Sequence, residues 1–117
     1  MDCERTPAPD FSLATNLKTI GEYAFNKMNA RTFTIPASVT LIDRCAFMSS
    51  EFNTVDLSKI TSERVKIGMM AFATLTNLNE FILNDTTYYE FGSTALLGSS
   101  LKTFSLENGA VGEQMFL

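Results

Sequence analysis

Apolar and polar residues alternate along this chain in short phrases, not in long runs. Phe33-Thr34-Ile35, Val55-Asp56-Leu57, Phe81-Ile82-Leu83 and Phe104-Ser105-Leu106 each set apolar residues around a variable centre, the period-two pattern of a half-buried strand. The same phrase opens the series as Phe11-Ser12-Leu13, one repeat ahead of Phe33-Thr34-Ile35. A second phrase is interleaved with the first. Ile20-Gly21-Glu22-Tyr23-Ala24-Phe25 returns as Ile42-Asp43-Arg44-Cys45-Ala46-Phe47, as Ile67-Gly68-Met69-Met70-Ala71-Phe72 and, weaker, as Phe91-Gly92-Ser93-Thr94-Ala95-Leu96. The equivalent positions Ile20, Ile42, Ile67 and Phe91 recur at a spacing of roughly 22–25 residues, within the range of leucine-rich repeats. Self-similarity at such a period predicts stacked units, none of which can bury its own apolar face alone.

The phrases also predict the shape of each unit. The strand sends Phe33 and Ile35, and their equivalents, into a shared interior, and successive strands pair in parallel because every connection returns the chain to the same end. Pro36 follows its strand directly; without an N–H it ends the ladder and begins a turn. A second extended piece, Val39-Thr40-Leu41-Ile42, leads to a place held by Gly21, Gly68 and Gly92, with Asp43 as the exception. A tight bend that a Cβ would hinder is expected there, with Asp43 tolerated if its backbone is left-handed. The Ala-Phe pair is expected to open a short helical turn, with Phe25, Phe47, Phe72 and Leu96 stacked as a ladder along the axis. The stretch from Leu57 to Ile67 is longer than its counterpart from Ile35 to Ile42. The surplus falls in the polar stretch from Ser58 to Arg64, expected as a projecting bulge. Val111 to Phe116 reads as a degenerate fifth copy of the second phrase. The organisation expected is an irregular segment over 1–10, then a repeat domain over 11–117. That domain should hold four to five units, each of roughly 22–25 residues.

Composition removes several functional classes. The chain has 117 residues, one domain's worth, with 45% apolar residues, 10 Phe and no Trp. Its net charge of -4 supplies no basic footprint for nucleic acid. No apolar run approaches the roughly 18 residues of a spanning helix, so no membrane insertion is expected. Residues 1–9 lack the apolar stretch of a signal peptide, as expected either if export is not encoded here or if a leader has been removed. There is no His, hence no Ser-His or Cys-His pair and no zinc cluster of the usual ligands. Carboxylates are scattered singly, and no catalytic residue, metal site or cofactor is expected. Cys3 and Cys45 make no disulfide framework; Cys45 reads as a small semi-buried hydrophobe.

With Ile35-Pro36-Ala37-Ser38-Val39-Thr40 joined to Ile42-x-x-x-Ala46-Phe47, the chain resembles the BspA-like leucine-rich repeats over about residues 11–116. The resemblance implies an α/β repeat solenoid, a right-handed leucine-rich-repeat superhelix with a parallel β-sheet on one face and short strands, turns or short helices opposite. It further implies a cell-surface or secreted protein associated with adhesion to host proteins or other cells, and it carries over no catalytic residues. Repeats of this kind often have Cys three residues after the Phe. Here those places hold Met28, Ser50, Leu75 and Ser99, so a cysteine ladder is absent.

Function is then expected on the outward positions of the main strands. Strand centres form the row Ser12, Thr34, Asp56, Ile82, Ser105, and beside it lie Thr32, Thr54, Glu80 and Thr103. The binding candidates are Thr32, Thr34, Thr54, Asp56, Glu80, Ile82, Thr103 and Ser105, a hydroxyl-rich, mildly acidic strip. Thr and Ser are also good solvent-facing strand residues with no further role. The other signals are weaker. Asn84-Asp85-Thr86 fits an N-glycosylation triplet, one of Tyr88 and Tyr89 is expected to pack inward, and Arg64 and Lys66 beside Glu63 read as a solvated patch. The function expected is a non-enzymatic protein-binding, adhesion-type module with a host or matrix protein as partner. The alternative is a structural or scaffold solenoid that assembles end to end, through self-association of uncapped ends, or with intracellular partners.

Overall fold

In the computed structural model the described residues are 16–28, 30–101, 104, 106 and 109–112. Every strand pairing among them is parallel. Eight short strands follow one another: β1 (Thr19–Ile20), β2 (Thr32–Thr34), β3 (Leu41–Ile42), β4 (Thr54–Asp56), β5 (Arg64–Ile67), β6 (Glu80–Ile82), β7 (Tyr88–Phe91) and β8 (Gly109–Val111). They sort into two sheets, β1-β3-β5-β7-β8 and β2-β4-β6. The chain is thus a parallel β-solenoid in which successive strands alternate between the sheets from β1 to β7. Registers such as Phe33↔Val55↔Phe81 and Ile20↔Ile42↔Ile67↔Phe91 place equivalent residues of the two phrases directly over one another. Residues 1–10, Phe11-Ser12-Leu13, Thr103, Ser105 and 113–117, with the expected uncapped ends, lie outside the described residues.

The core forms between the sheets and the corner that joins them. Phe33, Ile35, Val55 and Leu57 enter it from one sheet, Ile42, Ile67 and Phe91 from the other, all fully or almost fully buried. Phe47 stacks on Phe25 at 5.5 Å and 12° on one side, and on Phe72 at 5.1 Å and 3° on the other. Leu96 continues the series, fully buried. Phe33 meets the Phe47 ring edge-on at 4.7 Å, the geometry that ring quadrupoles favour.

The corner after Ile20, Ile42, Ile67 and Phe91 is where the structure departs from expectation. There is no helix among the described residues. Instead each coil makes a β-turn, closed by Ala24 N–H to the Gly21 carbonyl at 3.1 Å and by its equivalents Ala46 to Asp43, Ala71 to Gly68 and Ala95 to Gly92. The third residue of these turns has positive φ: Tyr23, Cys45, Met70 and Thr94. A second left-handed position follows at Lys27, Ser49 and Thr74, where the fourth coil has Gly98. A helix would direct its N–H groups back along its own axis. These turns leave them free to bond the next coil: Phe25 to Ala46, Phe47 to Ala71 and Phe72 to Ala95, at 2.8–2.9 Å. Backbone left unpaired in a packed stack costs more than the strain of the turns.

Glycine at the corner meets the expectation by half, and for a different reason. Gly68 and Gly92 do not have positive φ, and neither does Asp43; the left-handed residue comes two positions later. A Cβ on Gly68 would stand 2.7 Å from the Arg44 nitrogen, and one on Gly92 would stand 2.9 Å from the Met69 nitrogen. Glycine lets successive coils approach, and it does not shape the bend.

The surplus residues of the third coil do not project as a free bulge. Ile60 is buried at 4% exposure, Thr61 N–H bonds the Ala37 carbonyl at 3.0 Å, and Ser62 Oγ bonds the Val39 carbonyl at 3.1 Å. The extra length is absorbed as strand, so β5 has four residues where β3 has two. An apolar residue in the middle of the stretch draws it onto the core.

Ser50 occupies a place where repeats of this kind often have cysteine. It is buried, accepts a hydrogen bond from Met28 N–H and donates one to the Phe25 carbonyl, both at 2.9 Å. Its hydroxyl closes the turn of the first described coil from the coil above. Ser50→Ala removes both bonds and leaves the buried Met28 N–H without its hydroxyl acceptor, which should cost about 1–3 kcal/mol, read as a lower urea midpoint. Gly68→Ala should destabilise by about 1–3 kcal/mol through overpacking between coils. Lys27→Gly, at a left-handed position, should instead stabilise by roughly 0.5–1 kcal/mol. A higher melting temperature for Gly68→Ala, or a lower one for Lys27→Gly, would disprove this account of the corner.

Candidate functional site

The outer face of the three-stranded sheet carries the residues selected from sequence. Within β2, β4 and β6 the central residue turns inward, leaving Thr32 and Thr34, Thr54 and Asp56, Glu80 and Ile82 on the outside. Register aligns them in two rows, Thr32↔Thr54↔Glu80 and Thr34↔Asp56↔Ile82, with neighbours about 4.8 Å apart. Six of the eight candidates are therefore brought together; Thr103 and Ser105 lie outside the described residues. Thr32, Thr34 and Glu80 are exposed, and Thr54, Asp56 and Ile82 half-buried. Asp56 Oδ1 accepts the Ser58 N–H at 2.8 Å, which orients the carboxylate. The side chains of Thr32, Thr34, Thr54 and Glu80 make no hydrogen bond among the described residues.

Hydroxyls of the neighbouring turns and of the second sheet behave differently. Ser38 Oγ bonds the Leu17 carbonyl at 2.6 Å, Ser62 Oγ that of Val39 at 3.1 Å, and Thr87 Oγ1 that of Ser62 at 2.8 Å. These groups tie one coil to the one before it. Asn84 does the same: its Nδ2 donates to the Ile60 carbonyl at 2.9 Å while its Oδ1 accepts Thr86 and Thr87 N–H groups. The Asn84-Asp85-Thr86 triplet is thus folded as an Asx turn that clamps two coils.

A second feature is not legible as a site from sequence. The outer face of β5 and β7 holds a groove of about 440 Å³ whose lining includes Ser62, Glu63, Arg64, Lys66, Tyr88 and Glu90. The Arg64 guanidinium lies 4.5 Å from the centroid of the half-buried Tyr88 ring, a cation–π contact. Tyr89 turns inward and is fully buried, and burial raises its phenol above the ordinary tyrosine range. The available signal is the alternation Arg64-x-Lys66, answered one repeat later by Tyr88-x-Glu90. It is hidden because the surplus residues look like a loop and not an extension of the strand. Among the described residues, no three His, Cys, Asp or Glu side chains gather to hold a metal ion, and no helix is long and apolar enough to cross a membrane.

No curated protein and no solved structure matches the chain. A family model does: that of the BspA type leucine rich repeat region matches residues 3–117, in six copies. The matched span takes in both interleaved phrases and both sheets. With coils stacked in parallel register and like residues over like, the chain belongs to the BspA-type leucine-rich repeat family.

Proposed function

We propose that this chain is a non-enzymatic, adhesion-type protein-binding module whose partner, a host or matrix protein, docks on the outer face of the three-stranded sheet. Leucine-rich repeats of this family are protein-interaction modules; the adhesive role and the face are the proposal. One observation carries the choice of face. Ser38, Ser62 and Thr87 have their hydroxyls committed to coil-to-coil bonds. The hydroxyls of Thr32, Thr34 and Thr54 and the carboxylate of Glu80 have no such bond among the described residues. A partner can satisfy these groups without breaking anything that holds the stack together.

The face is flat, with Ile82 as an apolar spot beside Asp56 and Glu80. That suits a protein surface better than a small molecule, which needs a concavity to bury most of its area. Affinity at such an interface concentrates in a few residues near its centre. In a solid-phase assay on immobilised matrix proteins, Asp56→Ala with Ile82→Ala should weaken binding by about tenfold or more, equivalent to roughly 1.4 kcal/mol, with the fold retained by circular dichroism. Retention by intracellular fractions alone would sink the adhesive reading in favour of a scaffold. Binding that survives the double substitution would remove this face as the site.

A further inference from the structure

The third coil carries extra residues, and its outer strand is longer than the one before it. β3 has two residues and β5 and β7 have four, so the outer row formed by Arg64 and its register partner Tyr88 has no strand counterpart on β3. Thr40 of the preceding coil lines the groove of about 440 Å³ together with these residues. Insertions in repeat arrays commonly fall on a binding face.

The charges in this groove are uncommitted. Lys66 and Glu90 are direct cross-strand partners, placed where opposite charges usually meet. Yet among the described residues the one ion pair is Arg44–Glu22 at 2.6 Å. The Arg64 guanidinium lies over the Tyr88 ring, a contact that occupies none of its N–H donors. Glu63 and Glu90 accept no hydrogen bond from a side chain among the described residues. Two cations and two carboxylates therefore line the groove with no ion pair among the described residues, with the cations on β5 and one carboxylate across from them on β7.

The geometry points to a second binding site in this groove, for an extended peptide segment of a protein partner that carries an acidic and a basic side chain two residues apart. The acidic group is held by the Arg64 fork with Lys66, and the basic group by Glu90. Planar, two-pronged recognition of carboxylate is what the arginine fork offers. A polyanion would gain at Arg64 and Lys66 but meet repulsion from Glu63 and Glu90, so mixed charge is selected over uniform charge. The spacing also fits: with parallel strands about 4.8 Å apart, the diagonal positions Arg64 and Glu90 lie roughly 8 Å apart, and alternate side chains of an extended peptide about 7 Å apart.

The test is titration of the whole chain with the peptide acetyl-Glu-Ala-Lys-Ala-Glu-Ala-Lys-amide, followed by NMR shifts or calorimetry. An all-acidic peptide with Glu in place of each Lys serves as comparison. The mixed peptide should bind, with the all-acidic one about tenfold weaker or worse, a difference expected from like-charge repulsion. Arg64→Lys, which keeps the charge but loses the fork, should weaken binding by about tenfold, and so should Glu90→Gln. Asp56→Ala with Ile82→Ala, on the other sheet, should leave peptide binding unchanged, which separates this site from the proposed docking face. The inference is overturned if the mixed peptide does not bind at millimolar concentration, if the all-acidic peptide binds as tightly, or if Arg64→Lys has no effect.

Discussion

The structure depends on one constraint: each coil must bond the backbone of the next all the way round, corners included. Between coils the strands supply this as parallel ladders. At the corner it comes from N–H groups such as Phe25, Phe47 and Phe72 bonding Ala46, Ala71 and Ala95 of the following coil. Once the backbones are locked at one coil spacing, side chains have no freedom to offset. Phe must lie on Phe, and the 3° angle between Phe47 and Phe72 follows from that registration. The seven non-glycine residues with positive φ among those described are a local cost accepted for this continuity. Each is unfavourable by roughly 1 kcal/mol alone, and hydrogen bonds to the next coil hold the turns in place.

The same constraint governs how irregular length is accommodated. Surplus residues cannot push coils apart without breaking both ladders, so they must leave the stack or join it. Ile60 turns inward, Thr61 and Ser62 bond the coil before, and the remainder becomes strand in β5. Asn84 then bonds back to Ile60 from the next coil. An insertion in one repeat thus makes contacts with two neighbours, and its residues line the groove on the outer face of β5 and β7.

A division of labour among polar groups follows. Buried or half-buried hydroxyls such as Ser50, Ser62 and Thr87 link coils and contribute to stability. The hydroxyls on the outer face of the three-stranded sheet make no side-chain hydrogen bond, and the charges of the groove no ion pair, among the described residues. On a solenoid surface of this kind, such uncommitted groups arranged in straight rows are the chemistry on offer.

The chain's own pattern determined the repeat, its period, the inward phrases and the aromatic ladder, because a stacked fold writes its period directly into the residues. It also placed Thr32, Thr34, Thr54, Asp56, Glu80 and Ile82 on one surface, since alternation within a strand and parallel register leave no other arrangement. What only the tertiary structure decided lies at the corners and the insertion. Ala-Phe in a short apolar phrase is compatible with a helical turn, and nothing local distinguishes that from a β-turn with a left-handed residue. The choice is made by the next coil, whose carbonyls wait for the N–H groups that a helix would have kept. Likewise Gly68 looks like a bend residue in sequence, yet it is required by the Arg44 backbone, a neighbour one full coil earlier that sequence order does not reveal.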